Sequence, residues 1–125
     1  MAQVTILLVE DEAPLRGLLA RYLERQGYAV TACGEGGEAL DAFNAAGGAI
    51  VLAIVDLTLP DISGETVVMR LLDISPSIKI IVSSGRPYSN EALPESSRPR
   101  VEALLKPYLP QLLLDSIARL LAVDP

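Results

Sequence analysis

Short apolar runs alternate along the chain with longer stretches in which hydrophobic residues recur at helical spacing. The apolar runs predict five β-strands, at residues 4–9, 28–33, 49–55, 78–83 and 101–105. The run at 49–55 is the most hydrophobic of the five, which predicts a strand buried in the centre of a sheet.

Helical spacing of the apolar positions predicts four helices, at residues 14–27, 38–46, 65–74 and 109–122. The first begins with a proline and ends at a glycine, which suit the first turn and the end of a helix. The stretch from 86 to 100 is interrupted by Pro87, Pro94 and Pro99. At most residues 89–93 can be helical there.

The order of these elements is strand and helix in repeated alternation, with short connections. This order predicts an α/β fold, in which a doubly wound, five-stranded parallel sheet carries helices on both faces. In such sheets, ligands bind at the carboxyl ends of the strands, near the point where strand order reverses. The residues that follow each strand are therefore the candidates for function.

Composition narrows the class of protein. The 125 residues fit a single domain, 1–125, and the net charge of −6 weighs against direct binding of nucleic acid.

The apolar runs are far shorter than the ~18 residues of a membrane span. Met1-Ala2-Gln3 brings no basic stretch before the first strand, so we expect no signal peptide and a native N-terminus. The lone Cys33 cannot form an internal disulfide, which favours a cytoplasmic protein.

Composition also excludes several kinds of active site. The sequence contains no histidine, so a Ser-His-Asp triad and histidine-bound zinc are excluded. A single cysteine excludes cysteine-rich zinc and iron–sulfur sites. Any bound metal must then be a hard cation held by oxygen, such as Mg²⁺.

Polar residues follow four of the predicted strands: Glu10 and Asp11, then Asp56, Ser84 and Lys106. Each alone is more simply a solvated charge, a helix cap or a turn residue. Together they meet at one edge of the sheet, where three close carboxylates resist ionising unless a cation offsets their repulsion. A hydroxyl and an ammonium beside that cation suit a phosphoryl group, so we predict a Mg²⁺ and phosphoryl site.

Four motifs at these strand ends resemble those of the receiver domain of two-component response regulators. They are LLVEDE at residues 7–12, VDLTLPDISG at 55–64, IIVSSG at 80–85 and LKPY at 105–108. The resemblance covers nearly the whole chain, including the 22 residues from Ser84 to Lys106. It implies the flavodoxin-like receiver fold, with strand order 2-1-3-4-5 and five helices.

The resemblance implies a role for each acidic position. Asp56 matches the family's phosphoacceptor. Asp11 matches a direct ligand of Mg²⁺, and Glu10 matches a ligand that acts through water. Thr58 matches the position whose backbone carbonyl also binds the metal.

The resemblance also implies how a phosphoryl group is held. Ser84 matches the hydroxyl that moves onto the phosphoryl group, Lys106 the lysine that pairs with it, and Pro107 a proline after a cis peptide bond. The implied reaction is attack by Asp56 on a phosphohistidine of a histidine kinase or histidine phosphotransfer protein, with later hydrolysis by water. We therefore expect a protein that accepts a phosphoryl group and is not itself an enzyme.

The sequence departs from the family at two places. Ala103 occupies the position, three residues before the lysine, where the family has Tyr or Phe. Movement of Ser84 is therefore not expected to be coupled to an aromatic ring at that place. The prolines in 86–100 predict a short or irregular fourth helix in the family's usual output face.

The last predicted helix carries more apolar residues than one sheet-facing stripe needs. The residues expected in the stripe are Leu109, Leu113, Ile117, Leu120 and Leu121. Those expected partly off it are Tyr108, Leu112, Leu114 and Ala118. Isolated surface apolar residues are common. The alternative hypothesis is that these residues form a contact surface. The surface would bind an output partner protein, or it would bind a second copy of the chain and form a homodimer through this helix.

Two other functions remain open on the sequence. Phosphatases of the haloacid dehalogenase class also use an Asp after a parallel strand, but they need a second Asp where this chain has Thr58. A degenerate receiver would bind partners without phosphorylation, and the complete set of strand-end residues weighs against that reading. Gly34, Gly36 and Gly37 form neither a P-loop nor a dinucleotide-binding motif, so we do not expect bound ATP.

Overall fold

In the computed structural model, which describes residues 3–123, five parallel strands form one sheet in the order β2-β1-β3-β4-β5. The strands are β1 (Thr5–Val9), β2 (Ala29–Cys33), β3 (Ile50–Asp56), β4 (Lys79–Ser84) and β5 (Val101–Leu105). The helices are α1 (Ala13–Arg25), α2 (Gly36–Ala45), α3 (Gly64–Ile74) and α4 (Pro110–Leu121), with a 3₁₀ helix at Glu95–Arg100. The predicted fold and strand order are confirmed, and each strand lies within one residue of its predicted bounds.

The sheet is buried between two apolar layers. Helices α2 and α3 cover one face, and α1 and α4 cover the other. Successive residues of β3 point to opposite faces, so that Val55 packs in the first layer and Ile54 in the second. Burial on both faces explains why this strand is an unbroken apolar run up to Asp56. No helix within residues 3–123 has the length and apolar character needed to cross a membrane.

The irregular stretch after β4 differs from the prediction. Residues 89–93 are not helical but form a turn, in which the Leu93 N–H donates to the Asn90 carbonyl at 3.0 Å. The helical segment comes later, as the 3₁₀ helix at Glu95–Arg100. The Ser97 hydroxyl, donating to the Pro94 carbonyl at 2.7 Å, supports that helix in place of a longer α-helix.

The inward stripe of α4 is mostly as predicted. Leu113, Ile117 and Leu120 are fully buried against the sheet, and Leu121 is half-buried. Leu109 was predicted to share the stripe, but this is wrong, because it is 72% exposed. The helix begins at Pro110, so Leu109 lies in extended backbone just before the helix and points away from the core.

The residues predicted to lie off the stripe divide into two groups. Leu112 is 50% exposed and Ala118 is exposed, as expected of residues off the buried face. Leu114 is half-buried. Tyr108 instead packs partly against the core, with its hydroxyl 3.3 Å from Ser83 Oγ. Its ring is therefore less available to a partner than the sequence indicated.

Candidate functional site

Three carboxylates meet at the carboxyl edge of the sheet. Glu10 and Asp11 follow β1, and Asp56 ends the neighbouring strand β3. Each contributes an oxygen that lies within 4.8 Å of the other two. Glu10 and Asp56 are buried, whereas Asp11 is exposed at the mouth of the site. The predicted acidic cluster is therefore formed.

Lys106 brings an ammonium into this cluster from the end of β5. Its Nζ donates to Glu10 Oε1 at 2.7 Å and to Asp56 Oδ2 at 3.3 Å. The Lys106–Pro107 peptide bond is cis, as the resemblance implied. The lysine thus contacts both buried carboxylates. Its single positive charge is fewer than the three carboxyl groups of the cluster.

The pKa values of the paired groups reflect burial and this shared charge. Burial raises the pKa of Glu10, and the nearby Asp56 charge adds to that effect, against the hydrogen bond from Lys106. For Lys106, burial acts to lower the pKa, but the hydrogen bonds and charges of Glu10 and Asp56 outweigh it and raise the pKa. A bound cation would stabilise the ionised form of Glu10, which burial and the neighbouring Asp56 carboxylate disfavour.

The donor set fits Mg²⁺. Three carboxylates, one of them exposed, supply oxygen atoms and leave room for water and a ligand, as Mg²⁺ prefers. Thr58 lies two residues beyond Asp56, and its N–H donates to Asp56 Oδ1 at 3.0 Å. The backbone of Thr58 therefore lies beside Asp56, and the role of its carbonyl as a metal ligand stays a prediction.

Ser84 ends β4, the strand next to β3, and is 3% exposed. Its hydroxyl accepts a hydrogen bond from the Arg86 N–H at 3.1 Å, and its carbonyl accepts one from the Lys106 N–H at 2.7 Å. The hydroxyl is therefore held by the loop that follows β4 and does not complete the carboxylate–lysine contacts described above. It is linked to the cluster through the backbone of Lys106.

Arg16 is a residue of the site that sequence reasoning missed. Its Nη1 donates to the carbonyls of Glu10 and Asp11, at 2.7 and 3.3 Å. Arg16 lies in the first turn of α1, where the helix dipole favours acidic residues over basic ones. An arginine at that position is the one sequence signal for this contact with the carbonyl groups of the preceding loop.

The sequence of the chain matches that of a known protein family. A family model described as the response regulator receiver domain matches residues 6–118. The chain belongs to this family. Receiver domains of this kind bind Mg²⁺ at their acidic site and are phosphorylated, which agrees with the carboxylate cluster of this receiver domain.

Three relatives show the range of proteins that carry a similar domain. This receiver domain is 31% identical to the response regulator receiver protein CpdR of Brucella abortus (strain 2308), over 93% of the chain and 95% of CpdR. It is 36% identical to the sensor kinase CckA of the same strain, over 70% of the chain and 9% of CckA. The solved response regulator TrrA of Thermotoga maritima, in complex with Mg²⁺ and BeF, is 30% identical with a TM-score of 0.78, over 94% of the chain and 99% of TrrA.

Proposed function

We propose that this receiver domain accepts a phosphoryl group on Asp56 from a histidine kinase or a histidine phosphotransfer protein. The observation that carries the proposal is the contact of Asp56 Oδ2 with Lys106 Nζ at 3.3 Å, inside a cluster of three carboxylates. Asp56 is the member of the cluster that ends the central strand, and its other oxygen is fixed by the Thr58 N–H. One oxygen is thus oriented by the backbone while the other faces the ammonium.

Glu10, Asp11, Asp56 and the Thr58 carbonyl would hold Mg²⁺ at this edge. When bound, the metal supplies positive charge that offsets the carboxylates and the oxygens of an incoming phosphoryl group. The chain's own cation is Lys106, which already lies between Glu10 and Asp56. Its ammonium stabilises negative charge that develops on the phosphoryl oxygens during transfer.

The transfer itself is an in-line displacement at phosphorus. An oxygen of the Asp56 carboxylate forms the new O–P bond as the N–P bond to the donor's imidazole breaks. The imidazole keeps the electron pair of that bond and leaves as the free side chain. The Ser84 hydroxyl, released from the Arg86 N–H, donates to a phosphoryl oxygen of the product. Thr58 offers no carboxylate for acid–base turnover, so the reaction ends at an aspartyl phosphate that water later hydrolyses.

The chemical nature of the product tests this proposal. Phosphoramidate carries the same N–P bond as phosphohistidine and should add one phosphoryl group in the presence of Mg²⁺, measured by intact-protein mass. Hydroxylamine should remove it, because this nucleophile cleaves an acyl phosphate, and EDTA should prevent its formation. A hydroxylamine-stable adduct would be an ester of a hydroxyl residue and would contradict the proposal.

We further propose that the signal leaves by protein–protein contact at the junction of β5 and α4. Three exposed leucines support this: Leu105 is 56% exposed, Leu109 72% and Leu112 50%. Ala103, which is exposed, offers no aromatic ring to report on Ser84. As the route from the phosphoryl group to this surface we propose the loop after β4, whose Arg86 N–H donates to the Ser84 hydroxyl at 3.1 Å. The occupant is a second copy of the chain or another protein.

A further inference from the structure

Two glycines at the start of α2 receive a carboxylate from a distant loop. The N–H groups of Gly36 and Gly37 donate to Asp61 Oδ1 and Oδ2, each at 2.8 Å. The residue before the helix, Glu35, makes no side-chain cap of its own. Asp61, which lies in the loop between β3 and α3, therefore satisfies the first free N–H groups of α2.

The packing around this contact requires glycine at Gly36. A Cβ atom built there would lie 2.5 Å from Ile62 Cγ1, and one built on Gly37 would lie 3.2 Å from Asp61 Oδ2. The loop thus lies directly on the first turn of α2. Gly36 and Gly37 belong to the glycine-rich segment that matches no nucleotide-binding motif. Their N–H groups bind a carboxylate of the same protein, Asp61, and not a nucleotide phosphate.

The loop that Asp61 fixes is also the loop that follows Asp56. At its start the Thr58 N–H donates to Asp56 Oδ1 at 3.0 Å, and at its end the Gly64 N–H donates to the Leu57 carbonyl at 3.0 Å. Asp61 is three residues beyond Thr58. The contact with α2 is therefore a third anchor, at the middle of the loop, which limits how far the Thr58 peptide can move from Asp56.

We propose that Asp61 is a positioning residue for the phosphoacceptor site. By anchoring the β3–α3 loop on α2, it holds the Thr58 N–H against Asp56 and the Thr58 carbonyl in place for the metal. The effect on the Thr58 carbonyl as a metal ligand rests on the proposed function. The effect on the Thr58 N–H concerns the metal-free protein alone. If Asp61 were only a helix cap, its loss would lower stability and leave Thr58 unaffected.

The test compares three variants of the full chain. Asp61→Ala removes both acceptors, and Asp61→Asn keeps one acceptor oxygen. Ser63→Ala is the matched control, because Ser63 caps α3 from the same loop by accepting the Thr66 N–H at 3.1 Å. Amide hydrogen exchange at Thr58 is measured without metal, and the Mg²⁺ dissociation constant is measured by calorimetry.

Asp61→Ala should speed exchange at Thr58 by about tenfold, because a lost anchor raises the frequency of local opening. The same variant should weaken Mg²⁺ binding by about tenfold, as loss of a residue that orients metal ligands commonly does. Asp61→Asn should fall between Asp61→Ala and wild type in both measurements. Ser63→Ala should stay within about twofold of wild type in both, although it also loses a cap.

Unchanged Thr58 exchange in Asp61→Ala, or an equal increase in Ser63→Ala, would overturn the proposal. If Asp61→Ala does not fold, Asp61→Asn decides the same question. A wild type that binds no Mg²⁺ would contradict the proposed function, while the exchange measurement would still decide whether Asp61 positions Thr58. Faster Thr58 exchange with unaltered Mg²⁺ affinity would overturn the metal-binding half alone.

Discussion

Lys106 Nζ lies 2.7 Å from Glu10 Oε1, which joins the end of β5 to the end of β1 across 96 positions of sequence. The same ammonium reaches Asp56 Oδ2 at the longer distance of 3.3 Å. Because Glu10 takes the shorter contact, the lysine's charge is shared unequally between the two carboxylates. Asp56 is therefore the more weakly contacted of the two carboxylates, which fits the proposed transfer of a phosphoryl group to it.

Removing the exposed carboxylate of the cluster should change stability and metal binding in opposite directions. Asp11→Asn should raise the free energy of unfolding of the metal-free protein by about 0.5 kcal/mol at neutral pH, because it relieves repulsion from Glu10 and Asp56. The variant should also bind Mg²⁺ more weakly, since a ligand has lost its charge. Thermal melts with and without Mg²⁺ measure both effects.

The control for this experiment is Asp41→Asn, which neutralises an exposed carboxylate on α2 outside the cluster. It should leave the melting temperature and its Mg²⁺ dependence unchanged. A lower melting temperature of metal-free Asp11→Asn would show that the three carboxylates do not repel one another.

A methyl group added at Gly64 should disturb Asp56, the proposed phosphoacceptor, directly. A Cβ atom there would lie 2.2 Å from the Asp56 carbonyl oxygen, so backbone must move. We expect Gly64→Ala to lower the free energy of unfolding by about 2 kcal/mol and to slow phosphorylation. Gly85→Ala is the control, since a Cβ atom at Gly85 meets nothing within 4 Å. Equal stability of the two variants, measured by chemical denaturation, would contradict the packing of α3 on Asp56.

An ion pair between β5 and α4 should make stability depend on pH. Glu102 Oε1 accepts hydrogen bonds from Arg119 Nη2 and from the buried Ser116 hydroxyl, both at 2.8 Å. The hydrogen bond from Arg119 lowers the pKa of Glu102, with a further contribution from Ser116. The stabilisation is therefore present above the ordinary carboxyl pKa and is lost as pH falls through the lowered value.

Glu102→Gln should lower the free energy of unfolding by about 0.5–1 kcal/mol at neutral pH, a range that allows for solvent screening of this partly exposed pair. Wild type and variant should converge in acid, where Glu102 is protonated. Denaturant titrations at neutral and acid pH measure this, with the exposed Glu24→Gln as control. A difference that persists in acid would mean that the carboxylate charge is not the cause.

The proposed contact surface predicts self-association that depends on phosphorylation. If a second copy is the occupant, wild type treated with beryllofluoride and Mg²⁺ should sediment as a dimer, and Leu112→Glu should remain monomeric. Leu18→Glu is a matched control, because Leu18 on α1 is 52% exposed and lies on another helix. A wild type that is monomeric with and without beryllofluoride would rule out the second copy as the occupant.

Hydrophobic pattern alone predicted the strands because burial on both faces leaves little freedom in an apolar run such as β3. The site followed from topology, since residues after parallel strands must meet at one edge. Lys106 and Glu10 could be placed together although 96 positions separate them.

What the pattern could not predict depends on contacts between distant segments. Helix α2 begins at Gly36, two residues before the predicted start, because Asp61 from another loop caps it. Glycine has a low helix propensity, so local sequence favoured the later start. Leu109 fits the periodicity of α4, but Pro110 begins that helix and leaves Leu109 outside it. Three prolines marked the stretch after β4 as irregular without showing which part of it would become helical.

Intact-protein mass spectrometry after treatment with acetyl phosphate and Mg²⁺ decides whether Asp56 is the residue that receives the phosphoryl group, as we propose. Wild type should gain one phosphoryl mass. Asp73→Asn, which alters an exposed aspartate at the far end of α3, should gain the same mass. Asp56→Asn should gain none. A phosphoryl adduct of equal yield in Asp56→Asn would show that another residue is phosphorylated.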